Sequence, residues 1–160
     1  MKMKSVNPFF SLLVIASLFI SACNSNKVYD SFEPIPGSVW NYNKPLEFKV
    51  SMNDTNQVYN IYLNLRHKSL YQMSNLFLFV TTKAPSGDMV KDTVEFLLAD
   101  PSGKWYGSGL GDLLSYRRIY KRNIRFSQKG IYVFDLQQAM RVNDLPHITD
   151  AGICIEKANK

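Results

Sequence analysis

The chain has 160 residues, with 19 Lys and Arg against 13 Asp and Glu and a formal net charge of +6. That length suits one domain with a hydrophobic core of its own. So mild a positive surplus, spread along the chain, gives little support to nucleic-acid binding and leaves anionic lipid or an acidic protein as the partners that charge would favour.

Lys2 and Lys4 precede an apolar stretch from Phe9 to Ile20, closed by Ile20-Ser21-Ala22-Cys23. Charge, a short apolar segment and small residues at a cleavage point make a secretory signal. The stretch falls short of the ~20 residues that a membrane-spanning helix needs. Cysteine directly after the small pair matches the lipobox of bacterial lipoproteins. Cleavage is expected between Ala22 and Cys23, with a diacylglycerol and an N-acyl group on Cys23 and no other cofactor. One acyl chain holds a protein reversibly, whereas two or more anchor it stably. Removing residues 1–22 takes Lys2 and Lys4 away and lowers the formal charge from +6 to +4. Residues 23–39 are polar and then rich in Pro and Gly, which predicts the lipidated N-terminus and a flexible tether. Residues 40–160 form the domain.

From Trp40 onward the pattern is that of strands. Leu46–Met52 alternates apolar and polar residues with period two, the mark of a half-buried strand. Asn53–Asn56 is a turn cluster, and 58–66 alternates again. Leu76–Thr82 is apolar on both faces and is expected to be central. Turns follow at 84–88 and 100–103, with a strand over 92–98 between them. The glycines at 107, 109 and 111 make a loop, with a helical turn expected over 112–115. Strands are expected over 119–126, 130–136 and 151–157, with a second helical turn at 137–141. The fold class is therefore mostly β: a single antiparallel, jelly-roll-like sandwich of about seven to eight strands with one or two short helical turns.

Few residues carry obvious chemistry. His67 and His147 are far apart, with no HxxxH or CxxC spacing, so no metal site is expected. With Cys23 lipidated, Cys154 stands alone in a strand-like run and reads as a buried, inert thiol. Gly107-Ser108-Gly109-Leu110-Gly111 lacks the ending of a phosphate loop and the elbow of a serine hydrolase. Its glycines more simply allow positive φ or close backbone approach. Asp92 and Glu95 are three apart on a strand and point to opposite faces, which excludes them as a glycosidase pair. Asp88, Asp92, Asp100 and Asp112 lack the spacing of a calcium loop. No catalytic residues are expected.

Two features point to binding. Trp105 and Tyr106 flank the glycine loop, and such rings stack on sugars or mark protein interfaces when exposed. Trp40, with Tyr42, begins the domain, and tryptophans of a sandwich more often fill its core. Arg117, Lys121 and Arg125 share one face of a regular strand, opposite Arg118 and Arg122. Charge on both faces suits an edge strand protected from aggregation, and offers a docking patch for an acidic partner.

Several of these segments, in this order behind a lipobox, resemble the GldH family of gliding-motility lipoproteins from Bacteroidetes. The resemblance rests on Tyr59–Arg66, Ser74–Val80, Asp92–Glu95, Leu98–Asp100, Gly103–Gly109, Gln137–Arg141 and Asp150–Lys157. It implies an envelope lipoprotein required for gliding, tied to the type IX secretion system, with other gliding-machinery or envelope proteins as partners. The family has no established catalytic residues to carry over. Asn24-Ser25-Asn26-Lys27 lacks the acidic residues that follow the lipidated cysteine in surface-exported lipoproteins of this group. A domain on the periplasmic face of the outer membrane is therefore expected. The rival readings are a carbohydrate-binding module using Trp105 and Tyr106, with a glycan as ligand, and an envelope hydrolase drawing on Cys154 or His147.

Overall fold

The computed structural model describes residues 26–158. The signal segment, the cleavage pair Ala22–Cys23 and the final two residues lie outside them. Eleven strands follow in order: β1 (Lys27–Pro34), β2 (Val39–Asn41), β3 (Leu46–Met52), β4 (Tyr59–Lys68), β5 (Asn75–Lys83), β6 (Met89–Leu97), β7 (Ser108–Leu110), β8 (Leu113–Ile124), β9 (Gly130–Gln138), β10 (Asp144–Pro146) and β11 (Ile148–Lys157).

The long strands make two antiparallel sheets, ordered β1-β11-β4-β8-β7 and β3-β9-β5-β6. The pairings nest from the outside in: β1 with β11, β3 with β9, β4 with β8, β5 with β6. A long hairpin rolled up on itself produces this order, and it is that of a jelly roll. The expected sandwich is present, and β5 is central in its sheet as its two apolar faces require.

Period-two alternation places the core. Phe48, Val50 and Met52 of β3 face inward, as do Ile61, Leu63 and Leu65 of β4, Leu76, Leu78 and Val80 of β5, Phe134 and Leu136 of β9, and Ile153 and Ile155 of β11. Trp40 on β2 pairs with Leu145 on β10 and is fully buried, closing one end of the sandwich. Tryptophan as core filling is therefore correct at this position.

The two ends of the sandwich differ. At one, here the N-terminal end, Asn26 lies beside Lys157, whose backbone N–H it accepts at 2.8 Å. The turns 53–58, 84–88 and 125–129 gather there. At the other, the hairpin end, are the β7–β8 turn, the loops 69–74, 98–107 and 139–143, and the small β2–β10 ladder.

Two expectations change. The flexible tether over 23–39 does not hold from Lys27 onward, because β1 pairs with β11 from Lys27↔Glu156 to Pro34↔Asp150. Its polar and Pro residues suit a sheet edge, where one backbone side needs no partner. Tyr29 packs on the core from it, and Phe32 lies on the outer face beneath the Arg66 guanidinium, 4.2 Å from the ring centroid. Neither expected helical turn forms: 112–115 is largely strand, and 137–141 is the end of β9 followed by a bend. The short helical turn is instead a 3-10 turn at Pro36–Ser38, where Gly37 takes φ 65°.

Candidate interaction surface

β8 carries the basic residues. It pairs with β4 along one side, while β7 covers its other side only from Leu113 to Ser115. Beyond Ser115 that edge has no strand partner among the described residues, and charged side chains guard it against edge-to-edge pairing. The edge role read from the sequence is correct; the shared face is not. The β4–β8 register shifts twice, between Tyr59 and Ile61 and between Ile61 and Tyr62. The extra residue of a bulge reverses which side chains share a face.

Arg117 therefore falls opposite Asn64 on the outer face, and Lys121 falls opposite the core residue Ile61. The Arg117 guanidinium stacks 3.7 Å from the Tyr62 ring centroid, sits 2.9 Å from Glu156 and donates to the Cys154 sulfur at 3.4 Å. Lys121 reaches across the seam between the sheets to Asp92 on β6, at 2.8 Å, and the Tyr120 hydroxyl donates to the same carboxylate at 2.5 Å. These two hydrogen bonds hold the Asp92 carboxyl below the usual carboxylate range. Arg125, just past β8, stands on the rim of a cavity of about 440 Å³ floored by Ile61, Phe126, Tyr132 and Phe134. Arg117 and Lys121 are thus engaged by this chain's own acids and do different structural work, while Arg125 is exposed at the cavity rim. A second groove of about 530 Å³, lined by Met73, Phe77, Phe79 and Met140, lies on the outer face of the second sheet.

The glycine loop builds the hairpin end. Gly111 takes φ 64° in the two-residue β7–β8 turn, the left-handed region open to glycine. A side chain at Gly109 would run into the Leu113 carbonyl of the facing strand. Positive φ and close approach are both realised, and no phosphate chemistry is needed to explain the motif. Trp105 turns inward: its ring lies 4.7 Å from that of His67 and packs against the core. It is no exposed stacking platform. Tyr106 is 53% exposed and stacks on Tyr116 with ring centroids 6.3 Å apart.

Beside Tyr106 the hairpin presents apolar side chains to water. Leu110 is 92% exposed and pairs across the turn with the exposed Leu113; Leu70 is 65% exposed. The Ser69 N–H donates to the Asp112 carbonyl at 2.7 Å, which seats Leu70 next to the turn. Sequence reasoning passed over these leucines. Their signal was Leu110-Gly111-Asp112-Leu113, apolar residues on both sides of a two-residue turn, where polar residues are usual.

Cys154 and His67 are both buried. Burial pushes the Cys154 thiol up to about 12, against the pull of Arg117, which leaves it protonated and unreactive at neutral pH. Among the described residues no group of three or more His, Cys, Asp or Glu is placed to hold a metal. His147 takes φ 70° in the turn between β10 and β11. His67 is fully buried, its Nδ1 3.0 Å from the Lys68 carbonyl, while Nε2 has no partner. A carbonyl only accepts, so Nδ1 carries the proton and Nε2 is bare.

Burial lowers the His67 pKa. The unfolded chain, with an ordinary value of ~6.5, then binds a proton that the folded protein refuses. Stability is expected to hold above pH ~7.5 and to fall as pH drops through ~6.5 towards the folded value. Urea midpoints between those limits test this: a slope that His67→Gln flattens is predicted, and an equal slope in the variant would contradict it.

Residues 27–155 match the GldH lipoprotein family. A gliding motility lipoprotein GldH homolog of Christiangramia forsetii is 35% identical over 155 residues, covering 92% of this chain and 94% of that protein. The gliding motility lipoprotein GldH of Flavobacterium johnsoniae is 33% identical over 153 residues, covering 91% and 94%. A structure of infectious bursal disease virus overlaps the chain with a TM-score of 0.16 and 8% identity, too weak to bear on the fold. The matched span runs from the first described strand to the last and takes in the hairpin and the basic strand alike. On that ground the chain belongs to the GldH family of gliding-motility lipoproteins.

Proposed function

We propose that the protein is a non-catalytic lipoprotein of the outer membrane, anchored through Cys23 with its domain on the periplasmic face. There it serves the gliding and type IX secretion apparatus as a protein-docking component. The observation that carries this reading is the apolar hairpin end. Leu110, Leu113, Leu70 and Tyr106 gather on a short, glycine-shaped projection, exposed where a free domain would cover them. Clustered exposed apolar groups are what a protein partner buries. The names of the relatives, both gliding motility lipoproteins, set the process in which such a partner is sought.

Of its two rings, Trp105 and Tyr106, the glycan reading loses Trp105 to the core and keeps Tyr106 exposed. The basic residues first considered as the docking patch contribute less than expected, since Arg117 and Lys121 already have acidic partners.

Exposed substitutions away from caps and cores change stability by about 0.5 kcal/mol or less. A Leu70→Asp, Leu110→Asp variant is therefore expected to accumulate like wild type, yet to leave a strain lacking the gene unable to spread. Normal spreading with that variant would sink the hairpin end as the docking surface.

A further inference from the structure

We infer that the N-terminal end of the sandwich is a lipid-contact surface. In this arrangement it rests on the bilayer that holds Cys23, its cations meet anionic lipid headgroups, and the hairpin end points away from the membrane. The inference rests on the reading of Cys23 as lipidated.

Only residues 24–26 separate Cys23 from Lys27, the first residue of β1. Four residue steps span at most ~14 Å when fully extended. Lys27 is fixed by its pairing with Glu156 at the end of β11, which is itself paired with β4 beside Tyr59. The N-terminal end is thus held within ~14 Å of the lipid by covalent geometry. The hairpin end lies a whole strand away, roughly 34 Å along the ten residues of β11.

The turns and strand ends beside Asn26 expose Lys83, Arg125, Lys129 and Lys157. The acids of the same turns and strand ends are Asp54, Asp88 and Glu156, the last of them held by Arg117 at 2.9 Å. Asp54 accepts the backbone N–H groups of Asn56 and Gln57, and Asp88 accepts the Ser86 hydroxyl. At the hairpin end Lys44, Lys104 and Arg141 are interspersed with Asp100, Asp112 and Asp144. The positive surplus therefore sits where the tether brings the domain to the membrane, and juxtamembrane cations are drawn to anionic lipid within a Debye length.

The arrangement also separates two tasks. The apolar hairpin is held clear of the lipid that would otherwise compete for it, and is offered to a partner in the aqueous space.

The test uses the full lipidated protein in phosphatidylcholine vesicles, with and without phosphatidylglycerol. A dye is placed at Gln128→Cys or Ser108→Cys, and energy transfer is read to a headgroup-labelled acceptor lipid. Transfer from position 128 is expected to be several-fold stronger than from 108. The contrast should weaken without phosphatidylglycerol, and likewise in Arg125→Glu, Lys129→Glu. Equal transfer from both positions while the protein floats with the vesicles would overturn the orientation. Strong transfer from 128 that ignores lipid charge and charge reversal would overturn the headgroup contact and turn those cations over to an acidic protein. Protein that fails to float at all would remove the anchor reading, and the inference with it.

Discussion

Trp40→Ala is expected to cost about 3–5 kcal/mol, the range for truncating a fully buried tryptophan. Trp40 is 1% exposed, donates its indole N–H to the Lys44 carbonyl at 3.1 Å, and pairs with Leu145 across the small ladder that closes the hairpin end. Truncation opens a cavity there and frees the acceptor as well. Natural domains hold only about 5–15 kcal/mol in total, so the variant should lose a large share of its stability. A urea midpoint that falls steeply at unchanged slope is the expected result. A loss below about 1 kcal/mol would mean that the ring is a surface aromatic, as a sugar-stacking role would want.

The second large effect is at Gly152. A side chain there would run into the Ser31 carbonyl and the Phe32 ring, because β1 runs close alongside β11 with Phe32 paired opposite Gly152. Gly152→Val is expected to push β1 off its neighbour while the rest of the sandwich persists. Overpacking of this kind costs about 1–3 kcal/mol. Amide exchange should quicken across β1 much more than across β4 or β9. The functional consequence follows from the anchor: releasing β1 would add its eight residues to the free chain between lipid and domain. Unchanged protection of β1 would mean that the strand tolerates a side chain beneath it and is not seated as described.

What could be read in advance was mostly local. Leu46–Met52 alternates cleanly and is β3, with its apolar members inward. The two apolar faces of β5 fit its place between β9 and β6, where Phe77 and Phe79 are half-covered on the outside. The order of the strands was not legible, because pairing β1 with β11 depends on residues more than a hundred apart. For the same reason β1 itself was missed: Asp30, Glu33 and Pro34 look like linker until β11 supplies an edge to dock on. Alternation also failed to anticipate the two register shifts in β8, since period two assumes an unbroken ladder and nothing in Arg117–Arg125 marks the extra residues. The shift between Ile61 and Tyr62 separates Arg117 from Lys121 and dissolves the proposed patch into two intramolecular anchors. The hairpin end was half legible. Its glycines were rightly assigned to backbone geometry, but the leucines they display were passed over, because exposure is a property of the fold and not of the residue.

The most direct measurement is colony spreading of a strain lacking the gene, complemented with wild type or with Cys23→Ala. Spreading that is lost without the gene and restored by wild type alone is the predicted result, and it joins the motility role to the lipid anchor. Normal spreading of the deleted strain would contradict the motility role. Full rescue by Cys23→Ala would contradict the claim that the domain works from a membrane surface.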